Sequence, residues 1–128
     1  MITKLESVQL SEKDGKTQDL KSNYKLWFER NGEYIFGPGA CAILKAVHEQ
    51  GTITKGAQIL GMSYRYAWGV IKKIEKKLGV RLVETYKGGT VGGGGARVTE
   101  EGLRLVEIFS KLNDEFNKVL KKTDSISL

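Results

Sequence analysis

The side chains best able to do chemistry in this chain are basic and aromatic, and they crowd together between residues 63 and 76. Arginine can hold a base edge or a phosphate through two parallel hydrogen bonds, and lysine attracts a phosphate as a point charge. Residue types needed for catalysis are isolated, because His48 is the single histidine and Cys41 the single cysteine. They cannot assemble a zinc site, or a nucleophile–base pair with a third group to orient it. The sequence therefore predicts a binding protein that is not an enzyme and uses neither metal nor cofactor.

The basic charge is concentrated in one segment. Residues 54–104 contain ten lysines and arginines and four acids, whereas the remaining residues contain eleven of each sign. The whole formal excess of +6 therefore lies in this segment. A general solvated surface would spread its charge, so the localised field predicts a polyanionic partner whose binding is driven by displaced counterions.

Residues 54–72, TKGAQILGMSYRYAWGVIK, have the spacing of two helices that cross steeply around a short turn. A small Ala57 suits the crossing point, and Gly61 suits the left-handed backbone of the turn. The apolar residues that would close the space between the helices are Leu60, Met62, Ala67 and Val70. The pattern predicts a helix-turn-helix whose second helix presents its outer face to a DNA groove.

Turn residues predict the elements that precede this unit. Asn31-Gly32 separates two short runs rich in aromatic residues. Both residues tolerate positive φ, which favours a two-residue β-hairpin over an irregular loop. A helix is then expected over 38–50, with Pro in its first turn, Cys41 as a small core residue and Gly51 at its end.

Cap residues predict the bounds of the next two helices. Thr52 or Thr54 is expected to cap the short second helix. Ser63 is expected to cap the third helix, which should run to Leu78 and be terminated by Gly79.

A glycine-rich loop follows the third helix. Six glycines fall within GGTVGGGG, residues 88–95, between two strand-like runs. A loop between two strands directly after such a helix is the layout of a winged helix-turn-helix. Lys87 and Arg97 flank the loop and could contact the DNA backbone or minor groove. A bare hairpin tip is the main alternative, and a nucleotide-binding loop is disfavoured because Gly-Lys-Ser/Thr is missing.

The last helix is predicted to begin at Thr99, where acidic residues follow a capping side chain. Its apolar residues recur at spacings of 4, 3, 4 and 3, a period of 3.5 residues that is typical of a coiled-coil seam. We expect this seam to form the interface of a homodimer; packing against the core of the same chain is the alternative. The predicted interface residues are Leu105, Phe109, Leu112, Phe116 and Val119.

The third helix has two faces. Its apolar residues fall within about one third of its circumference and should face the core: Ala67, Val70, Ile71, Ile74 and Leu78. The basic residues centre almost opposite. Recognition helices read bases mainly with their first turns, so Ser63, Tyr64 and Arg65 are the candidates for contacts with base edges, and Arg65 could hold a guanine through two hydrogen bonds.

The remaining predicted contacts are less specific in sequence. Lysines of the outer face should hold phosphates, and Gly69 should allow close approach of the backbone. Trp68 could pack against the wing or touch the sugar-phosphate backbone, and Tyr66 is expected to pack. The full predicted DNA-contacting set is Thr54, Lys55, Ser63, Tyr64, Arg65, Trp68, Gly69, Lys72, Lys73, Lys76, Lys87 and Arg97.

The run GMSYRYAWGVIKKIEKKLG, followed by LVE and GGTVGGGGARVTEEG, resembles the N-terminal DNA-binding domain of ModE-type molybdate-responsive regulators. The motifs that carry the resemblance are Ser-Tyr-x-x-Ala-Trp and the Gly-rich wing, and the similarity spans about residues 24–120. The chain is more distantly similar to the LysR-type helix-turn-helix. The resemblance implies a homodimer, joined through long helices, that binds palindromic operators. Nothing here matches a molybdate site, so no effector is carried over, and a separate oxyanion-sensing partner is left open.

The predicted fold is mainly α with a small β component: a winged helix-turn-helix with an N-terminal β-hairpin and a long C-terminal dimerisation helix. The expected divisions are a polar tail over 1–22, flexible or weakly helical, the DNA-binding domain over 23–98, the dimerisation helix over 99–122 and a tail over 123–128. The N-terminus lacks the apolar stretch of a signal peptide, so a cytoplasmic protein is expected. The favoured function is a sequence-specific transcriptional regulator that binds double-stranded DNA. An architectural DNA-binding protein and a pure interaction module are the alternatives.

Overall fold

A computed structural model of the chain describes residues 19–88, 94–122 and 126–127. The described residues form six short strands and four helices. The strands are β1 Asp19–Leu20, β2 Phe28–Arg30, β3 Glu33–Phe36, β4 Val83–Tyr86, β5 Gly95–Val98 and β6 Ile126–Ser127. The helices are α1 Pro38–Gln50, α2 Ile53–Ile59, α3 Tyr64–Leu78 and α4 Glu100–Lys121. None of these helices is long and apolar enough to cross a membrane.

The predicted hairpin is confirmed. Strands β2 and β3 pair antiparallel, with Arg30 opposite Glu33, and the two turn residues adopt φ of 53° at Asn31 and 77° at Gly32. Positive φ at both central positions matches the twist of the flanking strands, and asparagine and glycine adopt it at low cost. The sequence therefore encodes this turn locally.

The predicted helix bounds are also confirmed. Helix α1 ends at Gly51, where φ is 79°, and α3 ends at Gly79, where φ is 74°. The Thr52 hydroxyl accepts a hydrogen bond from the Lys55 N–H at 3.0 Å, which settles the choice between Thr52 and Thr54. The Ser63 hydroxyl accepts from the Tyr66 N–H at 3.0 Å. These caps satisfy amide groups that have no partner inside the helix.

The larger of two compact units comprises Lys25–Lys111 and has one apolar core. The two faces that meet in the core are the buried sides of α1 and α3, where Ile43, Leu44, Val47, Ala67 and Ile71 are at most 2% exposed. Strands β4 and β5 pair antiparallel to form the wing, and their residues Val83 and Val98 join the same core. The core thus holds α3 against both the helices before it and the strands after it.

Three phenylalanine rings close one side of this core. Phe109 of α4 packs edge-on against Phe28 and Phe36 of the hairpin, with ring centroids 5.4 and 5.6 Å away, and is 4% exposed. Leu105 is half-buried against the same core. The assignment of Phe109 to a dimer seam is therefore wrong, because its own chain already covers the ring. The alternative, packing against the core of the same chain, holds for this part of the helix.

The smaller unit contains the described residues of Met1–Tyr24 and Leu112–Leu128. Strands β1 and β6 pair antiparallel, with Leu20 opposite Ile126. The Tyr24 hydroxyl donates to Asn113 Oδ1 at 2.6 Å, and the Tyr24 ring packs on Phe116 with centroids 5.4 Å apart. The sequence predicts tails at both ends of the chain and gives no sign of this short pairing. The rest of the two predicted tails lies mainly outside the described residues.

Candidate nucleic-acid interface

Helices α2 and α3 form a helix-turn-helix. Ala57 is 1% exposed at the crossing, and Gly61 adopts φ of 70° in the turn, where the Met62 N–H donates to the Ala57 carbonyl at 3.0 Å. Gly56 contributes a close contact that the sequence pattern did not reveal. A Cβ at this position would lie 3.0 Å from the Val47 backbone nitrogen of α1. These features fix the angle at which α3 leaves the turn.

The outer face of α3 is exposed from its first turn onward. Ser63, Arg65 and Gly69 are exposed, and Tyr64 is 48% exposed. A Cβ added at Gly69 would meet no atom within 4 Å, so the chain itself does not demand glycine there. Lys73 and Lys76 are exposed, and no ion pair among the described residues involves either of them. This face can therefore approach a partner without first releasing an internal contact.

The wing flank of α3, defined by Trp68, Lys72 and Glu75, is tied to the strands that follow. Glu75 Oε2 accepts hydrogen bonds from the backbone N–H groups of Leu82 at 2.7 Å and Val83 at 3.1 Å. Glu75 Oε1 pairs with the Lys72 ammonium at 3.0 Å. That ammonium lies 4.9 Å from the centroid of the Trp68 ring, within the range of a cation–π interaction. Trp68 is partly buried against the core, which favours the packing alternative for this residue.

The structural role of Glu75 is not evident from its sequence context. It is 8% exposed and is the one buried charged side chain in the described part of the chain. Burial raises the pKa of this carboxyl, but hydrogen bonds from Leu82, Lys72 and Val83 together lower it by more than burial raises it. The pKa therefore lies below its ordinary value. The carboxylate is therefore ionised at neutral pH. In the sequence it sits within KKIEKK, which is typical of a solvated surface.

The hairpin flank of α3, defined by Tyr66, Val70, Lys73 and Lys77, borders an open groove. The groove has a volume of about 250 Å³, and its other walls include Tyr34, Ile35, Ala40 and Ile43. Tyr66 is 58% exposed at its rim, so the expectation that Tyr66 packs is wrong. Lys77 pairs with Glu33 at 3.1 Å, which links α3 to the hairpin at the edge of the groove.

The remaining predicted contacts lie on α2 and the wing. Thr54 and Lys55 are exposed in the first turn of α2, and Lys87 is exposed after β4. Arg97 of β5 is engaged by a neighbour, since its Nη2 lies 2.6 Å from Glu84 Oε1 on the paired strand. The tip of the glycine-rich loop, residues 89–93, lies outside the described residues.

Within the described ranges, no group of three or more His, Cys, Asp or Glu side chains is placed to hold a metal ion. Cys41 is buried in α1, as expected of a core residue, and burial raises the pKa of its thiol. A raised thiol pKa leaves less of the reactive thiolate at neutral pH.

This helix-turn-helix and wing match a known protein family. The model of the family described as "Bacterial regulatory helix-turn-helix protein, lysR family" matches residues 39–103, half of the chain. The match begins in α1 and ends in the first turn of α4, so it contains the whole helix-turn-helix and the wing.

Curated relatives share the same region. The transcriptional regulator ModE of Yersinia pestis is 37% identical over 93 residues, which are 71% of this chain and 35% of that protein. The molybdenum-pterin-binding protein MopA of Rhodobacter capsulatus is 35% identical over 95 residues, 74% of this chain and 36% of that protein. The dual regulator ModE of Escherichia coli K12 is 35% identical over 94 residues. The chain therefore spans about a third of the length of these relatives.

Solved structures share the fold. The CbnR DNA-binding domain in complex with DNA gives a TM-score of 0.51 at 20% identity and covers 66% of this chain and 90% of that one. ArgP from Mycobacterium tuberculosis gives 0.51 at 22% identity and covers 66% of this chain and 30% of that one. These matches confirm the predicted winged helix-turn-helix.

Proposed function

The chain belongs to the bacterial regulatory helix-turn-helix proteins of the lysR family, with a DNA-binding domain of the ModE type, and from this we propose that it is a sequence-specific transcriptional regulator that binds double-stranded DNA as a homodimer. The observation that carries the proposal is the exposed first turn of α3, where Tyr64 and Arg65 lie on the outer face of a helix-turn-helix. In this geometry the second helix enters the major groove with its first turns against the base edges. We therefore call α3 the recognition helix.

Base reading is assigned to the start of the recognition helix. Ser63, Tyr64 and Arg65 are all exposed there. A guanidinium can donate two hydrogen bonds to a guanine, which discriminates against other bases by about 1–3 kcal/mol. Arg65 is thus the residue that we expect to contribute most to sequence preference.

Phosphate contacts are assigned to residues around this helix. Lys73 and Lys76 flank the reading face, Thr54 and Lys55 lie in the first turn of α2, and the wing supplies Lys87 and Arg97. The Arg97–Glu84 pair is exposed, and exposed pairs contribute little to stability, so Arg97 can exchange its partner for a phosphate at low cost. Contacts of this kind position the protein and carry no direct sequence information.

Dimerisation is assigned to the later part of α4. Leu112, Phe116 and Val119 are 39%, 45% and 59% exposed and recur at spacings of four and three residues. Such a stripe on an otherwise charged helix suits a second copy of the same helix. A two-fold dimer would place its two recognition helices about 34 Å apart, one turn of DNA.

The dimer can be tested without disturbing the core. Val119→Asp should yield a folded monomer by sedimentation velocity, because an exposed position loses no packing within its own chain, and its melting temperature should no longer depend on protein concentration. Lys118→Ala, at the neighbouring exposed position, is the matched control. A Val119→Asp protein that keeps the mass of the wild type would refute this interface.

The alternative function is an architectural DNA-binding protein with little sequence preference, favoured by the lysines of the outer face. Arg65→Ala separates the two, with Lys111→Ala on α4 as a control for the loss of one charge. A specific reader should lose about 5- to 150-fold in affinity for its selected site, the equivalent of about 1–3 kcal/mol, and much less for random duplex DNA. Equal losses on both DNAs would favour the architectural function.

A further inference from the structure

The cation on the wing flank of the recognition helix differs from Lys73 and Lys76 on the outer face. The Lys72 ammonium is held between Glu75 Oε1, at 3.0 Å, and the ring of Trp68, at 4.9 Å from the centroid. Lys76, one turn further along, has no ion-pair partner among the described residues and is exposed. Two lysines of the same helix thus meet an approaching polyanion in different electrostatic states.

The partner of Lys72 is itself fixed in place. The second oxygen of Glu75 accepts the N–H groups of Leu82 and Val83, at the start of the first wing strand. Hydrogen bonds from backbone amides to an ionised carboxylate are charge-assisted and stronger than neutral ones. The carboxylate therefore joins the recognition helix to the wing and at the same time balances the charge of Lys72.

A lysine whose charge is already neutralised by a carboxylate of its own chain adds little to DNA binding by counterion release. Each phosphate that a protein neutralises with a free cation steepens the dependence of log K on log salt by about 0.9. If Lys72 moved to a phosphate, it would leave a buried carboxylate without its ion-pair partner, which costs free energy. The pair is thus expected to stay closed when DNA binds.

We propose that Glu75 is a positioning residue, which sets the wing against the recognition helix and keeps Lys72 out of the phosphate contacts. The inference rests on the proposed function of DNA recognition. By withholding one cation, Glu75 lowers affinity for DNA of any sequence, while base reading by Arg65 is unaffected. The ratio of specific to non-specific affinity is therefore unchanged, and what Glu75 sets is the absolute affinity and its dependence on salt.

The test is the salt dependence of binding to a short random-sequence duplex, measured by fluorescence anisotropy over about 50 to 200 mM salt. Glu75→Gln keeps an acceptor oxygen for the wing amides and removes the charge that holds Lys72. We expect its slope to steepen by about 0.9 and its affinity for random duplex to rise about fivefold at about 0.15 M salt. The preference for the selected site over random duplex should stay unchanged, because a phosphate contact carries no sequence information.

Two further variants separate charge balance from structure. The double variant Lys72→Gln, Glu75→Gln removes both charges and should restore the wild-type slope, whereas Lys76→Gln should flatten the slope by about 0.9. If the double variant flattens the slope as much as Lys76→Gln does, Lys72 is an ordinary phosphate contact and the inference is wrong. An unchanged slope in a folded Glu75→Gln protein would also overturn it.

The outcome remains decisive if Glu75→Gln does not fold. Lys72→Gln alone is then compared with Lys76→Gln: a slope change less than half as large supports the inference, and an equal change contradicts it. Failure of the proposed function is distinguishable from all these results, because the wild-type protein would then bind neither DNA or bind both with equal affinity.

Discussion

Along its wing flank the recognition helix is held by a buried carboxylate that bonds two backbone amides, whereas along its hairpin flank it borders an open groove. The two flanks carry similar residue types, since each presents an aromatic ring and a lysine. Trp68 is partly buried and its neighbour Lys72 is paired, but Tyr66 is 58% exposed and Lys73 is unpaired among the described residues. The aromatic ring and the lysine of the wing flank are therefore engaged in contacts within the chain, whereas Tyr66 and Lys73 of the hairpin flank remain available to a partner.

This difference explains how the helix can be both oriented and accessible. A reading helix must be held within a small range of angles, and a hydrogen-bonded wing flank does this without covering the outer face. The unpaired cations can then contribute to binding, because no internal partner has to be released first. The comparison predicts that changes to Trp68 and Glu75 on the wing flank affect stability and that changes to Tyr66 and Lys73 on the hairpin flank do not.

The largest effect should follow Glu75→Ala. This change leaves the amides of Leu82 and Val83 buried without an acceptor, and we expect a loss of about 3 kcal/mol in the free energy of unfolding. Glu107→Ala, which removes a carboxylate from an exposed ion pair, should cost less than about 0.5 kcal/mol. Urea denaturation measures the free energy of unfolding of both variants. Equal losses would show that Glu75 stabilises the wing flank no more than an exposed ion pair does.

The aromatic residues of the two flanks should differ next. Trp68→Ala removes a ring that packs against the core and lies beside the Lys72 ammonium, so we expect a loss of about 2 kcal/mol. Tyr66→Ala should change stability by no more than about 0.5 kcal/mol, because its ring is mostly in solvent. A destabilisation by Tyr66→Ala as large as that by Trp68→Ala would remove the distinction between the flanks.

A smaller effect is expected with pH. The folded pKa of Glu75 lies below its ordinary value, which is about 4.3. Its contribution to stability is therefore complete above that ordinary value and is lost as pH falls through it toward the folded pKa. Thermal melts from neutral to acidic pH should show a shallower loss in Glu75→Gln than in the wild type, and parallel curves would contradict this role.

Much of the architecture could be predicted because it is encoded by residues close in sequence. Asn31-Gly32 specifies a turn by backbone preference alone, and Ser63 and Gly79 specify the ends of the recognition helix. The helix-turn-helix likewise depends on small residues at fixed spacing, which survive as a pattern whatever surrounds them.

The features that the sequence did not predict depend on contacts between segments that only folding brings together. Glu75 looks like a surface residue until the wing strand returns beside it, since the backbone N–H groups that donate to its carboxylate lie seven and eight positions later, beyond a turn. Phe109 fits a period of 3.5 residues, but the period does not say whether a second helix or the chain's own hairpin covers it. Tyr66 similarly gives no sign that a groove lies beside it.

The central claim, that the first turn of the recognition helix reads a specific DNA sequence, is tested most directly by selecting binding sites from a random duplex pool. The enriched pool is then titrated against random duplex at one salt concentration. We predict an inverted repeat with half-sites about one DNA turn apart, bound at least about 10³-fold more tightly than random duplex. Tight binding without enrichment, or no binding at all, would contradict the claim.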